Sequence, residues 1–143
     1  MKITIEACVK SDIGKIWRAW NTPEDIVRWS TASDDWHTTR STVDLREGGK
    51  FCSRMEAKDG SFGFDFEGTY TKVVVNQQLE YVMDDNRGVT IIFTEVDDGV
   101  RILQTFDAED ENSMEQQREG WQNILNNFVR FVEVRRQGGS EPA

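Results

Sequence analysis

The sequence predicts an α+β domain in which a meander of antiparallel strands is covered by one long C-terminal helix. Two observations carry this expectation. Between residues 43 and 106, short apolar or alternating runs are punctuated by Gly- and Asp-rich turns, the signature of hairpin-linked strands. After them, residues 113–135 repeat their apolar side chains at helical spacing with no further break. A meander with one apolar face needs a cover, and only this last segment is long enough to supply it.

Each element follows in order. Residues 3–9 (ITIEACV) alternate loosely and read as a first strand. Ser11 or Asp12 then caps a helix whose apolar positions are Ile13, Ile16, Trp17 and Trp20, one helical face. Thr22-Pro23-Glu24-Asp25 restarts a second short helix, with a threonine cap, proline in the first turn and acids near the positive end of the dipole. Residues 30–42 are polar and read as irregular. Strands are expected at 43–46, 50–57, 62–75, 79–83, 89–96 and 100–106, so that the sheet has about six to seven strands. The Glu47-Gly48-Gly49, Lys58-Asp59-Gly60 and Asp98-Gly99 segments are read as turns between them. Gly68 marks a bend in the longest strand. Asn112-Ser113-Met114-Glu115 fits a capping box opening the last helix. Residues 1–136 form one domain and 137–143 a flexible tail.

Bulk properties narrow the partner. At 143 residues the chain has the size of one domain and buries roughly 70% of its unfolded-chain surface. It carries 26 acidic and 17 basic side chains, a net charge of −9. That disfavours nucleic acid and anionic membrane, both of which attract basic surfaces. The longest basic cluster is Arg135-Arg136. Cys8 and Cys52 are too few and too far apart for a disulfide framework or zinc motif, and read as reduced, buried, small hydrophobes. The N-terminus lacks a signal-peptide apolar block, and no run approaches a membrane span. A cytoplasmic setting is the expectation.

Four stretches, TPEDIVRW, VDLREGGKFCSRM, FDFEGTYTKV and FDAEDENSMEQQREGWQNILNNFVRFVE, resemble, in this order, the successive signatures of the homologues of the activator of the 90-kDa heat-shock protein ATPase, in the START-like superfamily. The resemblance runs from about residue 3 to residue 134. It implies a helix-grip fold: a curved antiparallel sheet wrapped around the C-terminal helix, with a cavity between them. It implies no shared catalytic set, cofactor or metal. Related superfamily members bind hydrophobic molecules, cyclise polyketides or sequester toxic compounds. Co-chaperone activity belongs to larger eukaryotic relatives with an additional chaperone-binding domain, which a chain of this length is expected to lack.

The candidate site follows from the faces. Phe64, Phe66 and Tyr70 share a strand face whose opposite is Asp, Glu and Thr, so they point inward. The next strand contributes Leu79, Tyr81 and Met83. If Asp98-Gly99 is a two-residue turn, Asp97 pairs with Val100, and Ile91, Phe93 and Glu95 share a face with Ile102, Gln104 and Phe106. That more apolar face is taken as inward, which brings Glu95 and Gln104 to the cavity or its rim. Trp29, Trp36, Phe51 and Met55 join from the front of the chain, and Trp121, Leu125 and Phe128 from the helix. Gly120, beside Trp121, either lets backbone approach closely or leaves volume for a guest.

The favoured reading is non-enzymatic binding of a small, largely apolar molecule by a monomer or homodimer. A cyclase- or hydrolase-type enzyme using Glu95, His37 or Tyr70 is one alternative, and a protein-interaction module is another. His37 has no partner spaced for a metal. Arg46 and Arg54 are expected to pair with Asp44 or Glu56 on the outer face.

Overall fold

The computed structural model describes the backbone of residues 1–138 and the side chains of residues 1–134. Strand β1 (Lys2–Val9) leads into helices α1 (Ile13–Asn21) and α2 (Pro23–Trp29). Strands β2 (Trp36–Val43), β3 (Lys50–Ala57), β4 (Gly63–Val74), β5 (Gln78–Met83), β6 (Gly88–Val96) and β7 (Gly99–Asp107) follow, then helix α3 (Met114–Gly138). The seven strands form one antiparallel sheet in the order β1-β7-β6-β5-β4-β3-β2, curled into a half-barrel around α3. This is the α+β helix-grip architecture. Residues 137 and 138 continue α3, and the rest of the expected tail lies outside the described residues.

The two short helices stop each other. Asp12 caps α1, accepting from Lys15 N at 2.9 Å. Thr22 holds the N-cap position of α2, but its hydroxyl donates to Arg18 O at 2.6 Å and so closes α1 instead. Pro23 begins α2 where its missing N–H costs nothing. In α3 the capping box forms one residue later than expected. Ser113 Oγ accepts from Gln116 N at 3.1 Å, and Gln116 Oε1 accepts from Ser113 N at 3.2 Å.

The polar stretch before residue 43 is a strand, β2, and not irregular chain. It lies at the sheet edge, where one half of its backbone groups faces solvent, so its threonines and serine need no apolar alternation. A bulge between Thr38 and Arg40 shifts its register. The other edge, β1, is tied down by α3. Arg118 Nη1 donates to Thr4 O at 2.7 Å, Gln122 Nε2 to Glu6 O at 3.2 Å, and Glu133 Oε2 accepts from Lys10 N at 3.0 Å.

The core lies between α3 and β1, β5, β6 and β7, with Ile3, Ile91, Ile102, Phe106 and Phe128 fully buried. The cysteines are not part of it. Cys8 is exposed and Cys52 half-buried, because both fall on the outward parity of their strands. The arginines pair as expected on the outer surface: Arg46 with Asp44 at 3.0 Å, and Arg54 with Glu56 at 3.0 Å and Asp65 at 3.5 Å.

Asp107 ends β7 and joins both neighbouring strands, accepting from Lys2 Nζ at 2.6 Å and Gly88 N at 2.8 Å. The Lys2 ammonium, aided by the Gly88 N–H, holds its carboxyl below the ordinary range. A carboxyl lowered in the folded state stabilises the fold above its unfolded-state pKa, and loses that contribution as pH falls through the folded value. Asp107→Asn should therefore cost about 1 kcal/mol near neutral pH. The cost should vanish in acid, where both proteins carry a neutral side chain. Urea midpoints of the two proteins across that range check this; a pH-independent difference would contradict it.

Candidate functional site

A cavity of about 790 Å³ opens between the concave face of the sheet, α2 and α3. Its volume lies within the range of small-molecule sites, and its walls are mostly apolar and aromatic, as such sites are.

The half-barrel builds it simply. Inward positions on β3, β4 and β5 supply Phe51, Met55, Phe66, Tyr81 and Met83 to its floor. Phe51 nests against Tyr81, with centroids 4.7 Å apart. Gly68 lies beneath it: a Cβ there would sit 3.0 Å from the Phe51 ring and 2.7 Å from Val82 O. The glycine is therefore the floor space that ring occupies, more than a bend. From the helical side come Trp29 and Trp121. Trp121 is stacked on Phe106 at 4.0 Å, nearly parallel, which fixes its other face toward the cavity.

One end is open. Trp36 and Phe64 line the cavity there, and Phe64 is 41% exposed. Both touch Phe62, which stands 62% exposed on the β3–β4 hairpin, with centroids 6.0 and 6.4 Å away. These three rings form an aromatic lip.

Four expected wall residues lie elsewhere. Phe93, Leu125 and Phe128 are buried in the core below the cavity, Phe93 edge-on to Trp17 and Trp20 at 5.6 and 5.7 Å. Glu95 is exposed near the end of β6, where the strand has run past the core. Gln104 does line the cavity and is buried. Sequence reasoning missed Trp20, Asn21, Ser30, Ser53 and Arg87, and the loop and helix residues Glu109, Asn112 and Gln117. Gln117 is a clamp: its Oε1 accepts from Glu109 N at 2.8 Å, and its Nε2 donates to Glu109 O and Asn112 O at 3.2 and 2.8 Å. It holds the β7–α3 loop against the cavity rim.

Gly120 lines the cavity, and a Cβ there would meet nothing within 4 Å. The missing side chain leaves volume and does not serve close packing.

The groups weighed for catalysis are not brought together. His37 is opposite Glu56 in the β2–β3 ladder and shares its outer face. Glu95 is on the surface, and Tyr70 alone reaches the cavity. Burial pushes the Tyr70 phenol up to about 12, with Asp44 adding to the shift. Burial raises the Tyr81 phenol further, and Tyr70 adds to it. Both are neutral hydrogen-bonding groups at physiological pH.

On the convex face, Cys52 Sγ and the carboxylates of Asp65 and Glu67 lie within 4.8 Å of one another. Burial raises the Cys52 thiol, and a hydrogen bond with Asp84 raises Glu67. Among the described residues, no helix is long and apolar enough to cross a membrane.

Known proteins share the fold. Residues 10–133 match the family described as "Activator of Hsp90 ATPase homolog 1-like protein". The chain is similar to an AHSA1-like protein of Aeromonas hydrophila whose solution structure is known, at 50% identity, covering 100% of this chain and 97% of that one, with a TM-score of 0.89. A protein of Cytophaga hutchinsonii is similar at 41% identity over 99% and 97% of the two chains, with a TM-score of 0.82. A Nitrosomonas europaea protein shares the fold at 17% identity over 96% and 97%, with a TM-score of 0.80. None of the curated proteins matches the chain.

Proposed function

We propose, for a chain that belongs to the family of activator of Hsp90 ATPase homolog 1-like proteins, that its fold serves as a ligand-binding domain and that the ligand is a small, largely apolar molecule held between the sheet and α3. The observation that carries this reading is the cavity itself. A domain of this size buries its apolar side chains at crystal-like density, yet here about 790 Å³ stays open along aromatic walls. Open volume of this kind forfeits dispersion contacts that a few larger side chains would restore. A helix glycine keeps it open at a position where any residue but proline would favour the helix more.

Plain binding is favoured over chemistry, because His37, Glu95 and Tyr70 occupy three separate places. The exposed rings of Phe62 and Phe64, with the half-buried Trp36 beside them, adjoin the cavity opening and suit the entry of an apolar guest.

Titration with a neutral apolar fluorophore, 1-aminoanthracene, tests the reading. Saturable uptake of one molecule per chain, lost on unfolding in urea, is the expected result. Fluorescence that never saturates, or that is unchanged on unfolding, would sink it.

A further inference from the structure

The cavity is apolar in bulk but not in detail. Four polar side chains that line it are more than nine-tenths buried and make no side-chain hydrogen bond among the described residues: Ser30, Tyr70, Tyr81 and Gln104. The contrast with their neighbours is sharp. Ser53 Oγ is paired with Ser41 Oγ at 3.1 Å, Asn21 Nδ2 donates to Trp17 O at 2.9 Å, and Gln117 clamps its loop. Asn21 Oδ1 also lacks a partner, but it is sealed from the open space. The other four are not sealed in this way, and each of these residues lines the cavity. Buried polar groups are almost always satisfied, and those left free at a concave site call for a partner.

Their arrangement says what the partner offers. Tyr70 and Tyr81 are opposite each other on β4 and β5, with ring centroids 6.3 Å apart. Gln104 lies two strands beyond Tyr81 and one pleat repeat along, through the Tyr81–Val89–Phe106 and Ile91–Gln104 rows. From strand spacing and rise, that separates the two backbone positions by about 12 Å. Both phenols and the amide can donate and accept. The charged side chains along the cavity are engaged already. Arg87 Nε is bonded to Asp85 at 2.6 Å, and Glu109 Oε1 accepts from Asn112 N at 3.0 Å. An anionic ligand group would find the cavity's one cation among the described residues, Arg87, already paired with Asp85, and an unpaired buried charge is far costlier than an unpaired dipole.

We infer that the cavity selects a ring compound without an anionic group, carrying hydrogen-bonding oxygens at two separated positions, one set by the Tyr70–Tyr81 pair and the other by Gln104. This rests on the proposed binding role and narrows it. Bare hydrocarbons and carboxylate amphiphiles are disfavoured, the first for leaving the phenols and amide unpaired, the second for its charge. The aromatic walls take the ring body.

Three molecules sharing one ring system separate these classes by calorimetry: naphthalene, 2,6-dihydroxynaphthalene and 2,6-naphthalenedicarboxylate. The dihydroxy compound should bind on the order of tenfold tighter than either other, the scale of one satisfied buried hydrogen bond. Tyr81→Phe and Gln104→Leu should each shrink that preference by weakening the dihydroxy compound, with no loss of naphthalene affinity. Neither variant should lower the melting temperature of the free protein, because neither removes an internal hydrogen bond. That last readout separates a ligand-facing role from a structural one. Equal binding of naphthalene and its dihydroxy analogue, unaffected by both variants, overturns the inference and leaves the binding role standing. Tighter binding of the dicarboxylate overturns it too. If none of the three binds, the binding role itself fails, and the inference with it.

Discussion

Truncating Phe128 to alanine should destabilise the protein by about 3–5 kcal/mol. Phe128 is fully buried on α3. Trp20 and Trp29 meet its ring at 4.8 and 4.9 Å, both edge-on, and are themselves 5.0 Å apart. This cluster joins α1, α2 and α3. Trp29 is further fixed by its indole N–H, which donates to Ala19 O at 3.0 Å. Removing Phe128 takes away the α3 ring that meets both tryptophans, and neither tryptophan can collapse into the space without breaking that bond or its contact with the other. Against a typical total of about 5–15 kcal/mol, the loss is a large share of the fold's stability. Urea denaturation of the two proteins measures it. A loss below about 1 kcal/mol would show that the three helices do not depend on this contact.

Gly120→Leu should separate stability from binding. Leucine in a helix interior is favoured over glycine by up to about 1 kcal/mol, and no neighbour lies within 4 Å of the new Cβ. The variant should therefore be as stable as the parent or slightly more so. The same side chain projects into the cavity, so affinity for an apolar guest should fall by at least about tenfold, the equivalent of 1.4 kcal/mol. A glycine kept for close packing predicts the reverse pattern: a destabilised helix and binding changed only through misfolding. Melting temperature and fluorophore titration on the same preparation distinguish the two.

How far the sequence could be read depended on what each signal reports. Strands β3 to β7 were legible because turn residues and alternation coincide there, and their inward faces came out right. They did so even where the register did not. The expected turn at Asp98-Gly99 is in fact Asp97-Asp98, with Val96 opposite Gly99. The two-residue shift preserves parity, so Ile91, Phe93, Ile102 and Gln104 still point inward. Gly99 misled because it answers to a different constraint: a Cβ there would lie 2.0 Å from Val9 O on β1, a contact between residues 90 apart that no local pattern encodes. Glu95 shares that inward parity, yet the strand outruns the core and leaves it in solvent. Leu125 and Phe93 show the same limit from the other side. Their faces were correct, but how deep a face lies, as core or as cavity wall, is set by the curl of the sheet and the seat of α3. Strand β2 was expected at 43–46 but lies at Trp36–Val43, because an edge strand needs no apolar alternation. Gly120 was singled out by its place beside Trp121 in the helix, and only the surrounding space decided between its two readings.

The most direct test of the account is a comparison of masses. The protein purified gently from the cells that make it is weighed by native mass spectrometry, weighed again after denaturation, and set beside Gly120→Leu treated identically. The account predicts a reproducible non-covalent excess corresponding to one small molecule per chain, lost on denaturation and absent from Gly120→Leu. Identical native and denatured masses, together with no saturable uptake of 1-aminoanthracene by the folded protein, would contradict it.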